Sequence, residues 1–168
     1  LGKQYSAVSE DVLRRIERLR EKHYAELEGV TICGLFVFNG ESEHVLMHHG
    51  YPALAVIKKT PTVQRAAGLA DALLVIDRYT WSSLVGAQMD AAIDHELHHL
   101  VRELDDAGKP TFDSVDRPKI SIRLHDHNFG WFDEIAARHG AASIEVMQAS
   151  ALMKAAGQLY FDFSDKAA

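Results

Sequence analysis

The chain has 168 residues, 47% of them hydrophobic, with 18 basic and 24 acidic side chains, a net charge of −6 and one cysteine. That is enough apolar material for a continuous core, without the run of eighteen apolar residues that a membrane span needs. The acidic balance gives no whole-chain attraction to nucleic acid or an anionic membrane; a lone Cys33, an N-terminus without the pattern of a secretory leader and the absence of a possible internal disulfide point to a reducing, cytoplasmic setting.

In chain order, the spacing predicts a helix over 9–28, with Val12, Ile16, Leu19, His23 and Leu27 in one stripe and Gly29 closing it. Its Arg14, Arg15, Arg18, Arg20 and Lys22 alternate with glutamates, which reads as a solvated face. Strands are expected near 31–38, 45–48, 53–58 and 72–77, divided by Asn39-Gly40, Gly50 with Pro52, and Pro61, with a short helix over 62–69. Cys33 falls in the first of these strands as a small buried residue. His44, His48 and His49 read as surface imidazoles around the second.

A longer helix is predicted over 86–104, because Met89, Ala92, Ile93, Leu97, Leu100, Val101 and Leu104 recur at three- and four-residue steps until Gly108 and Pro110. An alternating strand (Ile120, Ile122, Leu124) then leads into a helix through Trp131, Phe132 and Ile135 to Gly140. A further helix over 143–157 precedes the aromatic tail 159–163, expected to dock on the core. With no repeat or linker, the expectation is one α+β domain spanning 1–168, a small mixed or antiparallel sheet packed against helices.

The segment Asp94-His95-Glu96-Leu97-His98-His99 contains H-E-x-x-H inside the 86–104 helix. Residues four apart lie one above the other on a helix, so His95 and His99 can offer two imidazoles to one ion with Glu96 beside it. Neutral imidazoles and a carboxylate suit Zn2+ and an activated water whose proton Glu96 accepts. His98 is turned about 100° from each neighbour, and Glu103 lies about 12 Å further along the predicted helix, so both are set aside.

The remaining source of a third ligand is Leu124-His125-Asp126-His127-Asn128-Phe129. Asn128 as helix cap would fix His127 just before it, which favours His127; His125 is the alternative ligand, and Asp126 can accept a hydrogen bond from a ligating imidazole. Arg78 and Tyr79, after the strand at 72–77, are candidate donors to a developing oxyanion.

The order Trp81, then residues 94–100, then His127-Asn128 with Phe132, Ile135, Arg138 and Gly140 resembles the phage-type metallopeptidase family, itself similar to SprT-like zincins. Segments 51–53, 65–71 and 74–77 are similar to the strand-rich half that precedes the HExxH helix, so the resemblance covers about 31–140. In that family Asp more often follows the downstream histidine, where this chain has Asn128. The resemblance implies a zincin-like fold, zinc on His95, His99 and His127, Glu96 as general base, a peptide or protein substrate, and a cleft flanked by residues 73–76. The alternative from another class is a non-catalytic zinc-containing protein-interaction module.

Overall fold

The computed structural model describes residues 2–40, 43–125 and 133–155. They fall into two compact units, Leu1–Leu124 and His125–Ala168. In chain order the first runs β1 (Gln4–Ala7), α1 (Glu10–His23), β2 (Ile32–Phe38), β3 (Met47–His48), β4 (Tyr51–Pro52), β5 (Ala55–Lys59), α2 (Thr62–Ala66), β6 (Ala72–Asp77), α3 (Arg78–Ser82), α4 (Gly86–His98), β7 (Leu100–Arg102) and β8 (Ile120–Ile122). The α+β class expected from the sequence is observed.

Four strands form a mixed sheet in the order β1-β2-β6-β5; β2 and β6 run parallel, and β1 and β5 lie antiparallel at the edges. Side chains alternate across each strand, and the register brings Ile57, Leu74 and Ile76 to one face. There they meet Val12 and Ile16 of α1, Trp81 of α3, and Ile93 and Leu97 of α4 in the main core. The opposite face is smaller: Val37, Val56 and Val75 pack with Leu46. β1 escaped sequence reading because Gln-Tyr-Ser-Ala is a short, exposed edge. Val8, just after it, explains Gly34: a Cβ there would come within 2.6 Å of a Val8 methyl.

Three expectations are corrected. The first helix stops at His23, which is exposed, and Leu27 is buried in a separate 3-10 turn, Ala25–Leu27. Cys33 is exposed, because it alternates onto the smaller-core face at the end of β2 opposite Val37. The helix predicted over 86–104 ends at His98, and Leu100–Arg102 pairs with β8, Leu100 opposite Ile122 and Arg102 opposite Ile120. A three-residue apolar run satisfies either periodicity, and a partner twenty residues away decides between them.

Beyond this pair the chain forms a cloverleaf. Glu103 N donates to Lys119 O (2.9 Å), Lys119 N to Thr111 O (3.0 Å) and Thr111 N to Glu103 O (3.0 Å), so three arms close a ring of hydrogen bonds. Each leaf ends in the same turn: Asp105 Oδ1 accepts from Ala107 and Lys109 N–H, and Asp113 Oδ1 from Val115 and Arg117 N–H. Gly108 (φ 75°) and Asp116 (φ 56°) hold matching left-handed positions. The sequence hides this eight-residue repeat, because only aspartate, a cation and proline recur (Asp105, Lys109, Pro110; Asp113, Arg117, Pro118).

Buried charge fastens these parts to the sheet. Arg65 of α2 meets Asp71 Oδ1 through Nε (2.8 Å) and Nη2 (2.7 Å), and Asp113 through Nη1 (2.7 Å). Arg117 adds a third contact to Asp71 (3.0 Å), while Thr31 N–H and hydroxyl donate to Asp71 Oδ2 at 2.8 Å each. At the other end of β6, buried Asp77 caps α3 through Thr80 N–H (2.9 Å) and holds residues 45–46 through their N–H groups (2.8 and 3.0 Å). The α1 cations are engaged as well: Arg15 and Arg18 both bind Asp90 of α4, at 2.7 and 2.6 Å.

The second unit contains α5 (Asp133–His139), a 3-10 turn over Gly140–Ala142 and α6 (Ile144–Ala155), with Ser143 Oγ accepting from Val146 N–H at the start of α6. The aromatic tail at 159–163 lies outside the described residues. Among the described residues no helix is long and apolar enough to cross a membrane.

Burial pushes the Asp71 carboxyl up, but the Thr31 hydrogen bonds and the charges of Arg117 and Arg65 outweigh it and hold the group below the usual carboxylate range. A depressed folded-state value stabilises the fold above the unfolded value and is lost as pH falls through the folded one. Stability is therefore expected to drop on acidification below about pH 4. Asp71→Asn should cost roughly 3–5 kcal/mol at neutral pH and flatten that acid slope, read by urea melts across pH.

Candidate metal centre

The local backbone sets up the histidine pair. Buried Ile93 and Leu97 turn α4 onto the sheet, leaving His95 exposed and His99 half-buried on the side faces. His99 is the first residue past the helix, yet its φ of −70° and ψ of −22° continue the helical path. The two rings remain one turn apart, with centroids 5.1 Å from each other and planes at 77°.

His99 Nδ1 lies 2.6 Å from the backbone carbonyl of Arg123. A carbonyl can only accept, so this nitrogen carries the proton and Nε2 is left with its lone pair. Two residues on, His125 supplies a third imidazole: one ring nitrogen from each of His95, His99 and His125 lies within 4.8 Å of the others. Tetrahedral zinc with nitrogen ligands at 2.0–2.1 Å would separate such atoms by about 3.3 Å, so small ring rotations bring all three to one ion. Although His95 is exposed as a whole, partial desolvation of its ring, then the neighbouring His99 and His98, hold the imidazole below its ordinary value. A site that disfavours protons on nitrogen in this way suits a metal cation, which needs the neutral ring. This is the group among the described residues that can hold a metal ion.

Glu96 is buried, and its Oε2 accepts the Ile57 N–H at 2.7 Å. The pairing of β5 explains why that N–H is available. Asp77 N donates to Leu54 O and Thr60 N to Asp71 O, so even-numbered residues of this strand bond to β6 and odd-numbered ones face outward toward α4. β6 is hydrogen-bonded on both sides, whereas β5 is the sheet edge beside α4. Residues 73–76 therefore lie in a strand paired on both sides, and β5 is the edge strand next to α4.

His127 and Asp126 lie outside the described residues. His98, set aside on helical angle, is exposed; its Nε2 meets the Arg123 guanidinium and its ring stands edge-on to Tyr24 at 6.1 Å. The Tyr24 hydroxyl in turn donates to Asp94, at 2.8 Å to Oδ1 and 3.0 Å to the carbonyl. Burial first, then Asp94, pushes its phenol well up.

Glu103 is occupied by Lys119 (3.1 Å) and Lys59 (3.9 Å). The helical spacing used to set it aside does not apply, since it follows β7. Arg78 stacks on Phe38 and Tyr79 is exposed; His44 binds Thr80 and the Leu46 carbonyl, and the His48 and His49 rings meet edge-on at a turn. Sequence reading missed Tyr24, Arg123 and the Ile57 N–H. The first two carried no motif, and a backbone group carries no sequence signal at all.

Comparison with known proteins gives one family. The model of the family described as "Putative phage metallopeptidase" matches residues 4–157, and the chain belongs to that family. No curated protein and no solved structure matches it.

The Glu96–Ile57 bond makes a stability prediction independent of any metal. Glu96→Ala strands a buried N–H and should cost about 1–3 kcal/mol, whereas Glu96→Gln retains a carbonyl acceptor and should stay closer to wild type in thermal and urea melts of the metal-free protein.

Proposed function

We propose that this member of the phage metallopeptidase family is a zinc-dependent peptidase that hydrolyses peptide bonds in a zincin-like arrangement. One observation carries the reading: three imidazole nitrogens within 4.8 Å of one another, next to a buried carboxylate on the same helix. His95 and His99 form the helical pair of ligands, and the third comes from the segment 125–127. Geometry supports His125; the motif order of the sequence supports His127, which lies two residues further along. When bound, zinc would supply Lewis acidity toward water and the scissile carbonyl.

The chain's own groups divide the remaining work. Glu96 accepts a proton from the attacking water and returns it to the leaving amine, with Oε2 steadied by the Ile57 N–H. The outward-facing row of β5 lies on the α4 side, where the Ile57 N–H is taken by Glu96, so an extended peptide would have to run past that position rather than pair with it. His99 is held in one tautomer by the Arg123 carbonyl, which would leave its Nε2 to hold the ion.

A second reading has specific support: a Glu96 oxygen committed to the backbone also suits a zinc centre that serves only folding or a protein contact. Glu96→Gln separates the two. The peptidase reading expects this variant to keep stoichiometric zinc and its fold while turnover of a peptide library falls by about 10²- to 10⁴-fold. The structural reading expects no turnover in either protein and unfolding on chelation.

For the ligands, His95→Ala and His99→Ala are expected to lose zinc, measured by elemental analysis of the purified proteins. One of His125→Ala and His127→Ala should lose it too, and the one that does identifies the third ligand. Retention of zinc in all four variants overturns the site.

A further inference from the structure

Arg123 touches the end of α4 in four ways. Its N–H donates to the His99 carbonyl (2.7 Å) and its carbonyl accepts from His99 Nδ1 (2.6 Å). Its guanidinium reaches the His98 carbonyl (3.2 Å) and His98 Nε2. A guanidinium has no acceptor, so the His98 ring must accept through Nε2, which removes that nitrogen from metal binding. On its other side His98 meets Tyr24, whose hydroxyl holds Asp94, the residue before His95. The last turn of α4 is thus gripped at Asp94 by Tyr24, just past α1, and at His98 and His99 by Arg123, just past β8.

We propose that Arg123 is a positioning residue for the metal centre: its side chain, braced on His98, clamps the segment carrying the third ligand to the helix carrying the first two. The inference rests on the metal reading above and adds a role to two residues outside the ligand set. The backbone contacts to His99 can form with any residue at position 123; the guanidinium contacts need a long donor there. His98 is the acceptor side of the same clamp, and being exposed it can be changed with little cost to folding.

Zinc affinity by competition with a chromophoric chelator, and the visible absorption of the cobalt-substituted protein, test the clamp in wild type, Arg123→Ala, Arg123→Lys, His98→Ala and His95→Ala. Circular dichroism and thermal melts check the fold. Arg123→Ala and His98→Ala are expected to weaken zinc about 10- to 100-fold and to shift the cobalt spectrum, as loss of an outer support does. Arg123→Lys, which can still donate to the His98 carbonyl, should recover part of both. A protein carrying both Arg123→Ala and His98→Ala should bind zinc no more weakly than Arg123→Ala alone, because the His98 side-chain contact is already lost in that variant.

Wild-type affinity and an unchanged cobalt spectrum in both alanine variants, with zinc lost in His95→Ala, would overturn the clamp and leave the metal centre standing. Wild-type protein that takes up no stoichiometric zinc would overturn both. Should Arg123→Ala not fold, His98→Ala decides by the same readings.

Discussion

The hydrogen bond from Ile57 N–H to Glu96 joins the edge of the sheet to the helix that bears the histidine pair. Its position follows from strand pairing, since only odd-numbered residues of β5 turn their backbone groups outward. The apolar face of α4, with Ile93 and Leu97 in the main core, sets the height of the helix over the sheet. The Glu96 contact then sets its rotation and its register along β5. A buried carboxylate is stable there because it receives a backbone donor, and the side faces of the helix are left to His95 and His99.

Much of this was legible in the sequence. β6 is found at the residues predicted, α1 starts within a residue of its expected position, and the H-E-x-x-H spacing placed His95 and His99 together. The pattern read these parts correctly because α1 buries one continuous stripe and β6 is a short, unbroken apolar run buried on both faces. It failed where pairing across long distances settles the outcome. The apolar residues after His99 fit a helix as well as a strand, and only the approach of 120–122 makes them β7. That same pairing brings Arg123 against His98 and His99, so the support of the site was invisible for the reason that the helix end was misplaced.

Two buried aspartates bracket β6 and divide the structural labour. Asp71 at its start holds α2 and the second leaf; Asp77 at its end holds α3 and the segment over the smaller sheet face. Each sits in a ring of donors that outweighs the burial of its charge. The sheet therefore grips its connections through polar contacts that a hydrophobic pattern cannot report. Sequence reading placed the strand and overlooked what is tied to each end of it.

The ring at Glu103, Thr111 and Lys119 closes the β7–β8 stem before either leaf begins. Residues added inside a leaf do not alter the register below that closure, provided they come in pairs, one on each arm, so that inward and outward sides are kept. The first leaf is thus free to lengthen or shorten on its own, like a side branch beyond a knot, whereas the second is tied down through Asp113 and Arg117. Evolution has here a site for exploring new surface while the histidines below the knot feel none of it.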